Sequence, residues 1–316
     1  MAKNLVIVES PAKAKIIKKY LNESDKLKKL GSFNVIASFG HIRDLDKKNG
    51  IDLDNNFKPN YIVIQNDFTE KSIKNLTDNI KKSDTIWLAA DLDREGEAIA
   101  WHIKEHFKLK SPKRITFNEI TKDAITTAVL NPRKIDTDLV DAQQARRFID
   151  RIVGFDITPL LWKKFNTSTT LSAGRVQSAV LKIIIDKENE INKFKTSSYY
   201  TVSGNFKIDK HNVEDAKYEL NDSTHKFKTD KEVVKFLKKL KKVYTLDNVK
   251  TSNKSSKAPP PFITSSLQQT ASGELKMSIK QVMGVAQALY EAGLITYMRT
   301  DSYNLSGDFL KKVEKH

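Results

Sequence analysis

The alternation of apolar and polar positions divides the chain into regions of different period. Up to about residue 130, short apolar runs take turns with segments of helical spacing: "LVIVE", "PAKAKIIKKYL", "FNVIASFG", "TIWLAAD" and "EGEAIAWHIKEHF". That order predicts an α/β unit with a largely parallel sheet. From about 136 to 195 the period is helical, with "DLVDAQQARRFIDRIVGF" and "GRVQSAVLKIIIDKENEI" as the long segments, so a second, all-α unit is expected. Residues 197 to 250 return to strand-like runs, "SYYTVSGNFKI", "YELND" and "KVYTLDNVK", around the Lys-rich "KEVVKFLKKLKK". The three prolines of "SSKAPPPF" then mark a boundary. Beyond it, Ser278 precedes a helix "IKQVMGVAQALYEA" that Gly293 can close.

Two of these helices carry charge where their sidedness makes it informative. Ser10 and Pro11 suit the start of the first helix. At about 100° per residue, Lys13 falls in the middle of the stripe formed by Ile16, Ile17, Tyr20 and Leu21, so it is aimed inward near Glu9. It either pairs with Glu9 for structure alone or serves a reaction. On the helix through "DAQQARRFIDRIVGF", Ala145, Phe148, Ile149, Ile152 and Val153 form the apolar side, and Gln143, Arg146, Arg147, Asp150 and Arg151 share the other. Arg146 and Asp150 are four apart, a spacing at which the carboxylate can hold the guanidinium ready for a phosphate. A solvated helix face is the ordinary alternative.

Charge sharpens this picture. The formal net charge of +16 favours a polyanionic partner, nucleic acid before membrane, although a Lys-rich composition bias would also raise it. Only 9 of the 55 basic residues are Arg, and Arg43, Arg94, Arg114, Arg146, Arg147, Arg151, Arg175 and Arg299 all fall in segments singled out here. Arg grips phosphate with a planar fork that Lys cannot copy. The absence of Cys excludes disulfides and cysteine-based zinc sites from the chain, leaving metal chemistry to carboxylates and His. No apolar run reaches membrane-helix length and no signal-peptide pattern opens the sequence.

Glu9 ends the first apolar strand, and Asp91, Asp93 and Glu95 follow directly on "TIWLAA". The carboxyl ends of parallel strands open into the ligand crevice, so these four acids are expected to converge there and to share a hard cation such as Mg²⁺. Alone, "DLDREGE" would equally read as an acidic loop capping the following helix. His102 and His106 have the spacing of a metal pair but no zincin glutamate between them, and are expected to be two partly exposed helix histidines. In "ITYMRTDS", an extended backbone would set Tyr297, Arg299 and Asp301 on one side. A phenol can form a covalent phosphodiester, with the arginine steadying the charge that develops.

Taken together, "LVIVESPAKAK", "SFGHIRDL", "AADLDREGEAIAWHI", "RITFNEIT", "DAQQARRFIDRIVGF", "LSAGRVQS", "PPPFITSSLQQ" and "YEAGLITYMRTDS" resemble, in order, bacterial-type DNA topoisomerase I of the type IA family, from residue 4 to about 306. The resemblance implies a multidomain α/β plus α fold. A Toprim domain with a Rossmann-like parallel sheet would span 1–135, a helical DNA-binding segment 136–195, a β-rich arch segment 196–257 and a catalytic tyrosine domain 258–316.

It further implies Tyr297 as the nucleophile that takes the 5′ phosphate of a cut strand. Arg299 would contact the scissile phosphate, Glu9 would serve as acid/base, and Lys13 would assist protonation of the leaving oxygen. Glu9, Asp91, Asp93 and Glu95 would hold Mg²⁺; His41, Arg114, Arg146, Asp150, Arg175, Gln287, Glu291, Thr300 and Asp301 would hold DNA. The expected partners are single-stranded and negatively supercoiled DNA, met by a cytoplasmic, nucleoid-associated monomer with no membrane contact.

Two departures qualify the resemblance. "FNTSTT" at 165–170 stands where the family tends to be shorter and basic, and the chain ends at His316, just past the tyrosine, where the family continues. Three functions are therefore carried forward: an ATP-independent enzyme that relaxes DNA by cutting and rejoining one strand, a fragment that holds single-stranded DNA without strand passage, and another Toprim phosphoryl-transfer enzyme.

Overall fold

The computed structural model describes residues 2–166, 171–208, 211–221, 223–248 and 250–315. The chain forms two compact units, Met1–Arg175 with Pro259–His316, and Val176–Ala258. The second division falls immediately before the first proline of "PPPF".

In the first unit the elements run β1 (Lys3–Val8), α1 (Pro11–Glu23), β2 (Ser32–Ala37), β3 (Arg43–Leu45), β4 (Ile51–Asp52), β5 (Lys58–Pro59), β6 (Tyr61–Val63), α2 (Asp67–Ile80), β7 (Thr85–Leu88), α3 (Arg94–His106), β8 (Lys113–Arg114), α4 (Lys122–Leu130), α5 (Thr137–Ile152) and α6 (Thr158–Phe165). The main sheet has the order β2-β1-β7-β8 and every pairing in it is parallel.

The alternation in "LVIV" explains why β1 lies inside the sheet. Val6 and Val8 face one apolar cluster with Ile17, Leu21, Trp87 and Ile125; Leu5 and Ile7 face another with Leu76, Leu88, Ile99 and Ile103. Both faces are buried, as a parallel sheet requires, and each such side chain contributes about 1.5–3 kcal/mol.

Strand ends fall earlier than the apolar runs suggest. "FNVIASFG" leaves the ladder after Ala37, where Phe39 and Gly40 adopt positive φ of 61° and 90°. "TIWLAAD" stops pairing as β7 at Leu88, which frees the next residues to form a loop over the strand ends. Gly96, in the first turn of α3, allows that loop to come close: a Cβ there would stand 2.3 Å from the Asp91 carbonyl oxygen.

The helix α5 docks by the opposite side from the one its sequence favours. Val140 and Gln143 are buried, whereas Ile149 is 48% exposed. Beside the buried Val140, polar contacts hold it to the sheet unit: Gln143 donates to Glu95 at 3.1 Å, Arg147 pairs with Asp44 at 2.7 Å, and Arg151 donates to the Lys47 carbonyl. An apolar stripe was therefore a poor guide to where this helix rests, because the surface receiving it is acidic. A π-helical turn, Val153–Ile157, follows α5 directly.

The helix α7 (Arg175–Lys193) opens on the last residue of the first unit. The second unit then adds a hairpin of β9 (Ser203–Ile208) and β10 (His211–Lys217), a smaller one of β11 (Glu219–Leu220) and β12 (Ser223–Thr224), and α8 (Asp230–Leu237). Residues 242–248 of "KVYTLDNVK" form no strand, which corrects that expectation; Val243, Tyr244 and Leu246 are exposed, without the neighbour a strand needs. Residues 167–170 of "FNTSTT" lie outside the described residues.

The chain returns to the first unit as α9 (Thr264–Leu275), α10 (Ile279–Glu291) and α11 (Gly307–Val313). As the sequence predicts, Ser278 caps α10, in a reciprocal box with Gln281, and Gly293 takes the positive φ of 74° after its end.

Candidate active site

The strands β1 and β7 end side by side, and that register brings Glu9 to the Asp91 loop. Glu9 Oε1 accepts a hydrogen bond from the Asp91 backbone N–H at 2.8 Å. Asp93 caps α3 by accepting from Gly96 N–H at 2.8 Å, and Glu95 sits in that helix's first turn. All four acids line one cavity of about 380 Å³, together with Met283, Gly284, Gln287 and Arg299.

Lys13 enters from below. Ser10 caps α1 and turns the helix so that Lys13 is 1% exposed, its Nζ 3.3 Å from Glu9 and 2.5 Å from Asp91. Its inward aim follows from the stripe it occupies, and the ammonium neutralises two carboxylates that would otherwise repel.

Tyr297 follows the turn that ends α10. Its backbone N–H donates to the Asn118 carbonyl at 2.7 Å, and Thr264 on α9 ties down the next residues by bonding the Met298 and Thr300 carbonyls at 2.8 and 3.0 Å. The Tyr297 ring is mostly buried and meets the Tyr290 ring edge-on at 5.1 Å. Its hydroxyl donates to Asp93 Oδ2 at 2.5 Å, and Arg299 Nη1 reaches the same oxygen at 3.2 Å. Tyr297 and Arg299 thus act on one side, as alternation predicts, although the segment is not a strand.

The protonation balance follows from burial and neighbours. Burial, the hydrogen bond to Asp93 and the Asp91 charge hold the Tyr297 phenol far above its ordinary range. For Asp93 burial is the largest influence and opposes ionisation, but the bonds from Tyr297 and Gly96 and the Arg299 charge together hold it below the usual carboxylate value. Asp91 goes the other way: burial and the Glu9 charge push it up to about 6, against the pull of Lys13.

A tyrosine phenol on an acidic strand-end cluster, flanked by a buried lysine and an arginine, is an arrangement that relatives clarify. The family model for DNA topoisomerase matches residues 134–316, and that for the Toprim domain matches residues 4–120. The chain belongs to the type IA DNA topoisomerase family. It is 40% identical to full-length topoisomerase I from Thermotoga maritima, solved in a monoclinic crystal form, with a TM-score of 0.81 over 98% of this chain and 52% of that one. The chain therefore spans about half the length of that relative. Its fold is the family's multidomain α/β type, with a Toprim domain built on the parallel sheet.

Toprim domains generally bind divalent cations, and the oxygens of this topoisomerase-family chain suit one. Among the described residues, however, no three acidic or imidazole groups stand in ligating geometry. Each carboxylate already has a partner: Lys13 for Glu9 and Asp91, Tyr297 and Arg299 for Asp93, and His41 and Gln143 for Glu95, at 3.2 and 3.1 Å. The donor set, four carboxylates on one cavity, is of the kind that suits a hard divalent cation.

The expected DNA-holding residues divide. Gln287 lines the cavity and donates to Glu291 at 3.1 Å; Glu291 also accepts from Ser10 at 2.9 Å, joining α10 to α1. His41 binds Glu95, Thr300 binds Thr264, and Asp301 is exposed. Arg146 is exposed but is not held by Asp150, whose carboxylate instead accepts from Arg175 at 2.9 Å. Arg114 departs furthest: it is 0% exposed, and its guanidinium is spent on protein atoms.

His102 departs too, being buried rather than partly exposed. Its Nδ1 lies 3.1 Å from an Arg43 guanidinium nitrogen, and its ring packs against Tyr61 and Trp101. Sequence reasoning passed over Tyr290, although its spacing in α10 from the buried Val282 and Ala286 was a signal for an inward ring. No helix among the described residues is long and apolar enough to cross a membrane.

Proposed function

We propose that this chain carries the strand-cutting chemistry of a type IA topoisomerase: cleavage of one DNA strand through a 5′-phosphotyrosyl bond on Tyr297, followed by rejoining. The observation that supports it most is the 2.5 Å hydrogen bond from the Tyr297 hydroxyl to Asp93, with Arg299 on the same carboxylate. At rest the proton belongs to the phenol, since its affinity for the proton is raised and that of Asp93 is lowered.

Attack is therefore coupled to proton transfer. As Tyr297 Oη forms its bond to phosphorus, the phenol grows acidic and Asp93 receives the proton. Arg299 offsets the charge gathering on the non-bridging oxygens. The bond from phosphorus to the 3′ oxygen of the upstream nucleotide breaks, and that oxygen takes a proton that the Lys13 ammonium passes through Glu9. Rejoining is the reverse, with the 3′ hydroxyl attacking the phosphotyrosine. Mg²⁺ held by Glu9, Asp91, Asp93 and Glu95 would neutralise charge on the acids and on the phosphate. The exposed Arg146, with Gln287 on the cavity wall, supports a single-stranded substrate threaded into the acids.

The wider reading is Mg²⁺-dependent relaxation of negatively supercoiled DNA by a nucleoid-associated monomer, within the four-part domain plan set out above. Because the chain spans about half of the matched relative, a second reading is a piece that holds single-stranded DNA without forming a covalent adduct or passing strands. One experiment separates them. The chain is incubated with an end-labelled single-stranded oligonucleotide and Mg²⁺, denatured, and searched for a DNA-linked peptide. An adduct on Tyr297 through a 5′ phosphate is expected; binding with no adduct would leave only the holding function, and an adduct persisting in Tyr297→Phe would discard the assignment.

A further inference from the structure

Arg114 occupies a place that neither phosphate recognition nor ordinary packing accounts for. It ends β8, and its charge is enclosed against Glu97, Nε to Oε2 at 3.0 Å. Glu97 is fixed in turn by Arg133, at 2.7 and 2.9 Å, and by the Asp136 backbone N–H at 2.7 Å. A buried guanidinium is costly unless every donor is used, and here the fork is turned onto main-chain carbonyls: Nη1 reaches Leu88, Ala90 and Ile115 at 3.2, 2.7 and 2.8 Å, and Nη2 reaches Asp91 at 2.7 Å.

Three of those carbonyls, of Leu88, Ala90 and Asp91, mark where β7 stops. Its last ladder contacts are Ala89 N–H to Ile7 and Ile115 N–H to Leu88. Beyond them Ala90 and Asp91 leave the sheet, and their buried carbonyls would be orphaned without another donor. A planar fork spans successive carbonyls, whereas an ammonium on a flexible stem cannot hold the same set. On the other side, the absent Cβ of Gly96 lets α3 press against the same Asp91 peptide.

We propose that Arg114 is a positioning residue, not a DNA contact: with Glu97 and Arg133 it clamps the backbone of the loop that aims Asp91 and Asp93. This rests on the reading that those two acids hold a divalent cation. The clamp sets the separation and direction of the two carboxylates before any ligand arrives, so its loss falls first on cation affinity.

The test compares the chain with Arg114→Lys and, because a buried substitution can cost folding, with Arg133→Met, which leaves Arg114 in place and loosens Glu97. Mg²⁺ is titrated calorimetrically into each without DNA. Single-strand affinity is measured separately in EDTA by fluorescence anisotropy, with thermal melts as the folding control. For Arg114→Lys, Mg²⁺ affinity should fall on the order of tenfold while EDTA affinity for the oligonucleotide stays within about twofold; Arg133→Met should move the same way by less. Unchanged Mg²⁺ affinity in a folded Arg114→Lys chain, or in Arg133→Met if the first does not fold, overturns the clamp. So does a matching loss of oligonucleotide affinity in EDTA, which would make Arg114 a DNA contact after all. If the unaltered chain binds no Mg²⁺, it is the carboxylate reading that fails, and the clamp with it.

Discussion

Tyr297 and Asp93, 204 residues apart in sequence, share a hydrogen bond of 2.5 Å, and the carboxylate that accepts it also caps the first helix after the acid loop. Replacing Asp93 by Asn keeps a good helix cap but leaves a poor proton acceptor. The expected outcome is a nearly unchanged melting temperature and adduct formation slowed by about 10²–10⁴-fold, measured in single-turnover cutting of a labelled strand. Cutting at the unaltered rate would show that the proton leaves Tyr297 by another route.

Lys13 holds apart two acids, and that has a pH signature. The folded-state pKa of Asp91 is raised to about 6 from 3.8, so ionising it costs stability as pH rises through that window. Lys13→Met removes the ammonium that limits the cost. In EDTA the variant should lose about 3 kcal/mol against urea at pH 8, where both carboxylates are charged, and much less at pH 5, where Asp91 carries a proton. Equal losses at both pH values would count against the arrangement.

The scaffold was legible because its signals are local. Apolar runs and strand-end acids are read within a few residues, which is why the sheet and the meeting of Glu9 with Asp91 could be anticipated. Lys13 was legible from its stripe. What could not be read were contacts whose partners lie on another element. The apolar side of α5 pointed the wrong way because Glu95 and Asp44, far off in sequence, receive Gln143 and Arg147. Asp150 has an arginine one turn away and another 25 residues on, and only the fold makes the second one its partner. Arg114 misled because an arginine in a Lys-rich chain suits phosphate and backbone carbonyls equally.

His102 offers a second pH prediction. Burial chiefly, helped by the Arg43 charge, lowers its imidazole from 6.5 to about 3. The unfolded chain takes up a proton near 6.5 that the folded one refuses, so this contribution is intact above that pH and is lost as pH falls towards 3. Its full size is about 5 kcal/mol. Ring-proton NMR should find His102 neutral down to pH 4, and a midpoint near 6.5 would show that its ring is hydrated.

Binding to single-stranded DNA should be steeply salt-dependent, because a chain of net charge +16 holds phosphates by releasing their counterions. Each phosphate contact contributes about −0.7 to the slope of log affinity against log salt. Arg146 is exposed on α5 and unclaimed by Asp150, so Arg146→Ala should flatten the slope by about that amount and weaken binding by a similar factor for every sequence tried. Arg175 is the useful contrast, since its guanidinium is already spent on Asp150 at 2.9 Å and both groups are exposed. Breaking that pair with Asp150→Ala should barely change stability, because solvent screens both exposed groups, and by freeing Arg175 should leave the slope unchanged or steeper. A slope flattened by Asp150→Ala but untouched by Arg146→Ala would reverse the assignment and make the Asp150 to Arg175 pair the element that meets the strand.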